Sequence, residues 1–136
     1  MALYMLDTDT VSFLIRGKTP SLDARIQATP AKQMCISAVT RGELLFGLGV
    51  KDGAHRLARL IDQVLQRLPC LPWDEAAATH FAAIAAHLHR TGSPIGQMDT
   101  MIAGHAASLG AVLVTNNGRH FSRVHELKVE NWCQEH

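Results

Sequence analysis

Short, largely apolar runs alternate along the chain with longer segments of mixed polarity. The runs cover residues 2–6, 33–36, 68–71 and 111–115, and residues 128–130 are a candidate for a further strand at the sheet edge. Runs of four or five such residues between turn-forming residues are typical of strands that are buried on both faces. The pattern therefore predicts a parallel sheet covered by helices.

The segments between these runs carry helical signals. Helices are predicted from near Thr10 to Ile15 and over residues 21–29, 37–50, 55–67, 74–90 and 97–109, and several of them are bounded by capping Ser, Asp or Gly residues. Strands that alternate with helices indicate an α/β fold, a three-layer sandwich with a central, mostly parallel sheet flanked by helices. The length of 136 residues fits a single domain over residues 1–136.

Composition narrows the class of protein. Hydrophobic residues make up 47% of the chain and charged residues 18%, which favours a folded globule over a disordered chain. The apolar opening ends at Asp7 and is too short for a signal peptide, and no later run approaches a membrane span, so we expect a cytoplasmic protein. Three widely spaced cysteines suggest neither a disulfide framework nor a thiolate zinc site.

Charge is distributed unevenly along the chain. Residues 16–67 hold nine basic and four acidic side chains, although the whole chain has a formal net charge of only +1. A basic segment beside an acidic remainder suits a polyanion that is steered towards a metal-loaded carboxylate site. Taken alone, the basic segment is explained more simply as a solvated helical surface.

Polar side chains follow two of the predicted strands. Asp7 comes directly after the first strand, and Thr115, Asn116 and Asn117 lie at the end of the strand that begins at Ala111. In open parallel sheets the functional groups gather beyond the carboxyl ends of the strands. If the two strands are neighbours, these side chains share one edge of the sheet.

Two helical carboxylates interrupt apolar faces. At 100° per residue, Glu43 lies on a stripe with three apolar residues, namely Val39, Phe46 and Val50. Asp99 shares a helix face with small or apolar residues, namely Ile102, Ala103, Ala106 and Gly110. Both carboxylates are therefore expected to point inward, where an ionised group needs an arginine, a proton or a metal as its partner.

Each carboxylate also has a purely structural explanation. Asp7 could cap a helix, and Glu43 could pair with a distant arginine. Asp99 could lie in the first turn of a helix, where the helix dipole stabilises a negative charge. Together, three carboxylates about 5 Å apart would oppose folding by about 10 kcal/mol at an effective dielectric constant near 20. A divalent cation removes this repulsion. Oxygen ligands favour Mg²⁺ or Mn²⁺ over Zn²⁺, and the corresponding chemistry is metal-assisted phosphoester hydrolysis.

Four motifs in order along the chain resemble those of a known family. They are Met-Leu-Asp-Thr-Asp at 5–9, Arg-Gly-Glu-Leu at 41–44, Ile-Gly-Gln-Met-Asp at 95–99 with Ile-Ala at 102–103, and Leu-Val-Thr-Asn-Asn at 113–117, followed by Leu-Lys-Val-Glu-Asn-Trp at 127–132. In these stretches the chain resembles the PIN domain nucleases, in particular the VapC-type toxins of bacterial toxin–antitoxin pairs. The resemblance implies a PIN-like sandwich fold.

The resemblance also implies a set of site residues. Asp7, Glu43 and Asp99 would be the catalytic, metal-binding carboxylates for Mg²⁺ or Mn²⁺. Thr115 and Asn117 would complete the catalytic site, with the Asn117 amide as a further metal ligand where family members often carry an acidic residue. An uncharged amide is a weaker ligand, which argues against a tightly held second metal. Three neighbours would support the site from outside the metal ligands, namely Thr8, Asp9 and Asn116.

Activity and partners follow from the same resemblance. Such enzymes cut RNA through in-line attack of a metal-activated water, which leaves a 5′-phosphate and a 3′-hydroxyl. The VapC-like motifs suggest a structured substrate, with transfer RNA, and the initiator in particular, as the leading candidate. The family further implies a homodimer and a VapB-type antitoxin whose tail blocks the acidic pocket.

Two other functions remain open at the level of sequence. Residues 6–11 also match the Asp-x-Asp opening of haloacid dehalogenase-like phosphatases, but the catalytic lysine and late acidic pair of that family are missing. A non-catalytic binding module of the same fold is the other alternative. In the nuclease interpretation, Asp9 is expected to cap a helix that begins near Thr10. Arg119 and His120 either contact RNA or belong to a solvated turn.

Overall fold

The computed structural model describes residues 1–134 and contains a five-stranded parallel sheet. The strands run in the order β3-β2-β1-β4-β5, and all four neighbouring pairs are parallel. Their bounds are Tyr4–Leu6 (β1), Met34–Ser37 (β2), Cys70–Leu71 (β3), Val112–Val114 (β4) and Lys128–Glu130 (β5). Every predicted strand is present, including the one at the edge, and the prediction of an α/β sandwich is confirmed.

Seven helices connect and cover the strands in this part of the chain. They are Thr8–Arg16 (α1), Pro20–Ala28 (α2), Ala38–Gly49 (α3), His55–Arg67 (α4), Glu75–Arg90 (α5), Gln97–Leu109 (α6) and Gly118–Phe121 (α7). Ser37 and Asp74 cap α3 and α5 through their side chains, as the sequence predicts. The one-turn helix α7 and a 3₁₀ turn over Ala31–Gln33 are too short to give a periodic signal. None of the helices within residues 1–134 combines the length and apolarity needed to cross a bilayer.

The sheet separates two hydrophobic cores. Side chains alternate along a strand, so that Met5 and Leu113 pack with residues of α5 and α6 on one face. On the other face, Leu6 and Val114 pack with residues of α1, α2 and α4. These two cores account for the predicted three layers.

Close packing of α5 against α6 depends on a small residue. Gly104 lies on α6 where an added Cβ would stand only 2.6 Å from the backbone nitrogen of Phe81 on α5. Ile102, Ala103 and Ala106 are fully buried on the same helix. The predicted inward face of α6 is thus confirmed, and its small residues allow the two helices to approach closely.

The predicted inward stripe on α3 is wrong. Phe46 is 72% exposed and Val50 is 67% exposed, whereas Thr40 and Leu44 are the buried residues of this helix. Periodicity identifies a face of a helix but not the side from which a neighbour packs. In this chain α1 and α4 pack on the Thr40–Leu44 side, and the Phe46 side is left uncovered.

Aromatic and charged contacts fasten the segment that follows β5. The buried Trp132 packs against Tyr4 at a ring-centroid distance of 5.1 Å, and the Arg25 guanidinium lies 4.7 Å from the Trp132 ring centre. Arg25 also forms an ion pair with Glu130 at 3.2 Å, and Trp132 Nε1 donates to the same carboxylate. This segment is therefore tied to both α2 and β1.

Candidate active site

Asp7 lies at the centre of the sheet edge, immediately after β1. Its backbone N–H donates to the carbonyl of Val114 at 3.0 Å, which confirms that β1 and β4 are neighbours. Its extended backbone places it at the N-cap of α1, where Oδ1 accepts a hydrogen bond from the Thr10 N–H at 2.8 Å. Asp7 is only 2% exposed. The carboxylate that the sequence predicts at the strand end is therefore buried, and it also caps α1.

Burial changes the acidity of this carboxylate. Loss of hydration raises the pKa of Asp7 to about 6, although hydrogen bonds from Thr115 and Thr10 act in the opposite direction. The charge of Asp9 raises the pKa further. The folded chain therefore holds Asp7 as an anion at neutral pH only at an energetic cost.

The expectation that Asp9 caps the first helix is wrong. The helix begins at Thr8, so that Asp9 lies inside its first turn and Asp7 occupies the cap. The extended conformation of Asp7 allows its side chain to reach the Thr10 N–H, which leaves no capping role for Asp9. The negative charge of Asp9 raises the pKa of both Asp7 and Asp99, which places it beside the carboxylates.

Within residues 1–134, Glu43 is held by hydroxyl groups and not by a basic side chain. Thr8 Oγ1 donates to Glu43 Oε1 at 2.6 Å and lies 3.0 Å from Thr40 Oγ1. A hydroxyl has one proton, so Thr8 must accept from Thr40 while it donates to the carboxylate. This chain of two threonines links α1 to α3 and fixes the position of Glu43.

Asp99 lies in the first turn of α6 and belongs to the same electrostatic cluster. Burial raises its pKa above the ordinary range, and the charge of Glu43 raises it further. His120 lowers it, while Asp9 adds a smaller repulsion. Carboxylates from α1, α3 and α6 are thus close enough to affect one another.

The segment after β4 connects the carboxylates to α7. Thr115 is fully buried, and its hydroxyl group lies close enough to the Asp7 carboxyl to lower the pKa of that group. The backbone N–H of Asn117 donates to Thr115 Oγ1 at 2.9 Å, and Asn117 Nδ2 lies 2.9 Å from His120 Nδ1. Asn116 differs, because its exposed Oδ1 accepts from Asn131 at 3.2 Å on the C-terminal segment. The structure therefore brings Thr115 and Asn117 to the site and directs the Asn116 side chain elsewhere.

Two supporting residues were not identified from the sequence. Thr40 precedes Glu43 by one helical turn, a spacing that could have revealed it. His105 is buried on α6, and its Nδ1 lies 2.8 Å from Oγ of Ser37, the residue that caps α3. Burial lowers the pKa of His105. This contact ties the helix of Asp99 to the helix of Glu43.

In the part of the chain that the structure describes, no basic side chain forms an ion pair with any of the three carboxylates. Arg25–Glu130 is the only ion pair that residues 1–134 form, and it lies at the β5 edge. Unpaired, partly buried carboxylates are a donor set suited to a hard divalent cation. In the same residues, however, no group of three His, Cys, Asp or Glu side chains meets the geometry of a metal site. Metal binding by Asp7, Glu43 and Asp99 therefore stays a prediction.

Comparison with known proteins gives the family. A model described as PIN domain matches residues 4–127. A tRNA(fMet)-specific endonuclease VapC of Shigella flexneri is 43% identical over 97% of this chain and 99% of its own length. A tRNA(fMet)-specific endonuclease VapC of Salmonella typhimurium is 40% identical over 98% of this chain and 100% of its own length.

Solved structures agree with this relationship. A chain of DNA-bound VapBC from Salmonella typhimurium matches with a TM-score of 0.92 and 40% identity, over 98% of this chain and 100% of that one. A chain of VapBC2 from Rickettsia felis, bound to a promoter DNA fragment, matches with a TM-score of 0.89 and 29% identity, over 96% and 98% of the two chains. These similarities favour the nuclease interpretation over a phosphatase or a non-catalytic module. The chain therefore belongs to the PIN domain family, among its VapC-type ribonuclease toxins.

Proposed function

We propose that the protein is a metal-dependent endoribonuclease that acts as a bacterial toxin and hydrolyses phosphodiester bonds of transfer RNA. The observation that carries this proposal is the mutual influence of carboxylates near the end of β1. The charge of Asp9 raises the pKa of both Asp7 and Asp99, the charge of Glu43 also raises that of Asp99, and none of the four carboxylates forms an ion pair within residues 1–134. The relatives named tRNA(fMet)-specific endonucleases support the initiator tRNA as the substrate.

In this proposal each side chain has a defined task. Asp7, Glu43 and Asp99 hold Mg²⁺ or Mn²⁺, and Asn117 adds an amide oxygen. When bound, the cation supplies positive charge to the scissile phosphate and increases the acidity of a water molecule. Thr8 orients Glu43 through its hydrogen bond, and the Thr115 hydroxyl group orients the neighbouring Asp7 carboxylate.

The partners in this proposal are a VapB-type antitoxin and a second copy of the chain. Similarity to chains of solved VapBC complexes supports the antitoxin, which would act in the cytoplasm together with the RNA substrate. The exposed apolar face of α3 and α6 supports the homodimer. A groove of about 610 Å³ lies beside Glu43, and its apolar walls include Val39, Phe46, Met98 and Met101.

Induced expression in bacteria tests the nuclease activity. Wild type is compared with Asp99→Asn and with Asp52→Asn, a matched change in an exposed turn. We expect wild type and Asp52→Asn to arrest growth and to produce discrete tRNA fragments with 5′-phosphate ends. Asp99→Asn should lower cleavage by about 100-fold or more, because a ligand contributes at least as much as the groups that support it. Equal arrest by a folded Asp99→Asn protein would reject the proposal.

Purified protein tests the metal and the substrate. EDTA should abolish cleavage of initiator tRNA, and Mn²⁺ or Mg²⁺ should restore it. Elongator methionine tRNA serves as the matched substrate and should be cut much more slowly. Cleavage that persists after metal removal would contradict the metal-dependent mechanism, and turnover of small phosphomonoesters would favour the phosphatase instead.

Sedimentation measurements test the homodimer. Phe46→Ser should shift the protein to monomer, because it removes an exposed aromatic side chain at the centre of the apolar face. Leu109→Ser, at the far end of α6, changes a partly exposed apolar residue outside the groove and should leave the dimer intact. A dimer that withstands the Phe46 change would exclude this face as the interface.

A further inference from the structure

The turn that follows β4 is the basic border of the acidic site. Residues 116–125 contain no acidic side chain and include Arg119, His120 and Arg123. Phe121 is fully buried and Val124 nearly so, and these two residues anchor the turn in the core. Arg119 is exposed and His120 is half-buried, so both remain within reach of a ligand at the surface.

The contact between Asn117 and His120 determines which imidazole nitrogen carries the proton. The amide nitrogen of Asn117 lies 2.9 Å from His120 Nδ1, and an amide nitrogen can only donate. With the Asn117 amide oriented as it is in the structure, Nδ1 accepts and Nε2 carries the proton. An Nε2–H group is a hydrogen-bond donor and cannot bind a metal ion. The geometry thus suits an anionic ligand.

The position of His120 is linked to the carboxylates through Asn117 and Thr115. The side chain of Asn117 contacts His120, its backbone N–H donates to Thr115 Oγ1, and the Thr115 hydroxyl group is close enough to Asp7 to lower the pKa of that carboxyl. On the other side, His120 is close enough to Asp99 for a positive charge on its ring to lower the pKa of that carboxyl. The imidazole therefore lies at the rim of the acidic cluster, between the end of β4 and the start of α6.

An RNA strand that binds beside this cluster needs hydrogen-bond donors for its phosphates, and ionised carboxylates cannot supply them. Its phosphates are repelled by the unpaired acids, and their oxygens need N–H donors to fix the strand in register. Arg119 can supply charge from the surface. Of the groups in the turn, only His120 combines an oriented N–H with proximity to a carboxylate.

We propose, on the basis of the ribonuclease function above, that His120 binds a phosphate oxygen of the RNA strand through Nε2–H. Asn117 then has a second task, because its amide holds the imidazole in the tautomer and orientation that make this contact. His120 is thus a substrate-binding residue that lies outside the set of predicted metal ligands.

Two near-isosteric substitutions distinguish a contact between His120 and the RNA from a purely structural role of the His120 side chain. Asparagine keeps an acceptor near the position of Nδ1 but has no donor at Nε2, whereas glutamine keeps a donor near Nε2 but not the Nδ1 acceptor. Affinity is measured by fluorescence anisotropy with labelled initiator tRNA in EDTA, and every variant carries Asp99→Asn so that no RNA is cut. The exposed His55 provides the control His55→Asn.

We expect His120→Asn to weaken binding by about 10- to 100-fold, the value of a hydrogen bond to a charged group. His120→Gln should bind much more tightly than His120→Asn, and His55→Asn should bind as the parent does. Undiminished binding by His120→Asn, or equal losses for Asn and Gln, would overturn the inference. Cleavage of initiator tRNA by the wild-type protein is followed in parallel. If the wild-type protein does not cleave it, the ribonuclease function itself is rejected.

A measurement on the unmodified protein does not depend on the folding of any variant. The ¹⁵N chemical shifts of the His120 ring report which nitrogen is protonated. We expect Nε2 to carry a proton, and the Nε2 resonance should move when the RNA binds to the metal-free protein. A ring protonated on Nδ1 alone, or an Nε2 signal unchanged by saturating RNA, would refute the proposed contact.

Discussion

Helices α3 and α6 each present one carboxylate of the site on an apolar face, yet only one of these faces is buried. On α6, Ile102 and Ala106 are covered by the rest of the chain, and Gly104 allows α5 to approach. On α3, Phe46 and Val50 are open to solvent. Similar patterns thus produce a helix inside the core and a helix at an uncovered surface.

The difference between the two helices arises from side-chain size. Small residues on α6 permit a close helix contact within one chain, and α5 fills the space beside them. The larger Phe46 side chain on α3 stays exposed, although Met98 and Met101 of α6 line the same groove. The core contacts of α3 are made by Leu44 on another side. An apolar stripe of large residues beside an active site is therefore as consistent with an interface between chains as with a core.

The largest expected difference concerns one apolar residue on each helix. Ile102→Ala should lower the free energy of unfolding by about 4 kcal/mol, because it leaves a cavity in a fully buried position. Phe46→Ala should change it by less than about 0.5 kcal/mol in protein dilute enough to be monomeric. Urea denaturation at several protein concentrations measures both. A comparable loss for dilute Phe46→Ala would show that the face is part of the core.

A pair of glycines tests the close helix contact. Gly104→Ala should destabilise the fold by about 3 kcal/mol, because the added Cβ collides with the backbone of Phe81. Gly47→Ala on α3 meets no atom within 4 Å and should stabilise the chain by about 0.5–1 kcal/mol through its higher helix propensity. Thermal and urea unfolding would reveal the sign of each change, and two changes of equal sign would contradict the contrast.

The buried carboxyl group of Asp7 predicts an unusual dependence of stability on pH. Because the pKa of Asp7 rises from 3.8 to about 6 on folding, its contribution to stability is complete below about pH 4 and is lost as pH rises through 6. The shift corresponds to about 3 kcal/mol by pH 8. Asp7→Asn keeps the cap without the charge.

In EDTA, Asp7→Asn should therefore exceed wild type in stability at pH 8 by up to about 3 kcal/mol, and the gap should close near pH 4. The variant should also lose cleavage, so that stability and activity change in opposite directions. Unfolding curves at pH 4, 6 and 8 provide the measurement. Equal stability of Asp7→Asn and wild type at pH 8 would mean that other interactions offset the cost of burying the Asp7 charge.

The smallest expected effect concerns the link between the two helices. Ser37→Ala removes the α3 cap and should cost about 1 kcal/mol. Combined with His105→Gln, it should show a coupling of about 1 kcal/mol, because both changes break the same hydrogen bond. His89→Gln, exposed at the end of α5, supplies the control pair. Additive effects for Ser37 and His105 would argue that the helices are positioned by packing alone.

Much of the fold could be predicted because its signals are local. The apolar runs around Met5 and Leu113 mark strands, and the caps Ser37 and Asp74 mark helix starts. The direction from which α1 and α4 approach α3 depends on contacts between distant segments, which periodicity does not contain. For this reason the inward orientation assigned to Phe46 was wrong.

The site could be predicted to the level of residue types but not of contacts. Asp7 and Thr115 were located by the rule that polar groups gather at strand ends, and the structure joins them directly. The capping role expected for Asp9 is wrong. The helix begins two residues earlier than predicted, so that Asp7 caps it instead. The hydrogen bond between Asn117 and His120 requires the one-turn helix α7, for which the sequence gives no periodic signal.

The pairing of β1 with β4 has a consequence for the synthesis of the chain. Leu6 lies opposite Val114, so the central ladder joins segments that are far apart along the chain. Such distant partners meet late, after the intervening segment has been made and closed into a loop. A nascent chain that has not yet emerged from the ribosome beyond Thr115 therefore lacks the strand that pairs with β1 beside Asp7. The site cannot assemble before β4 has been made.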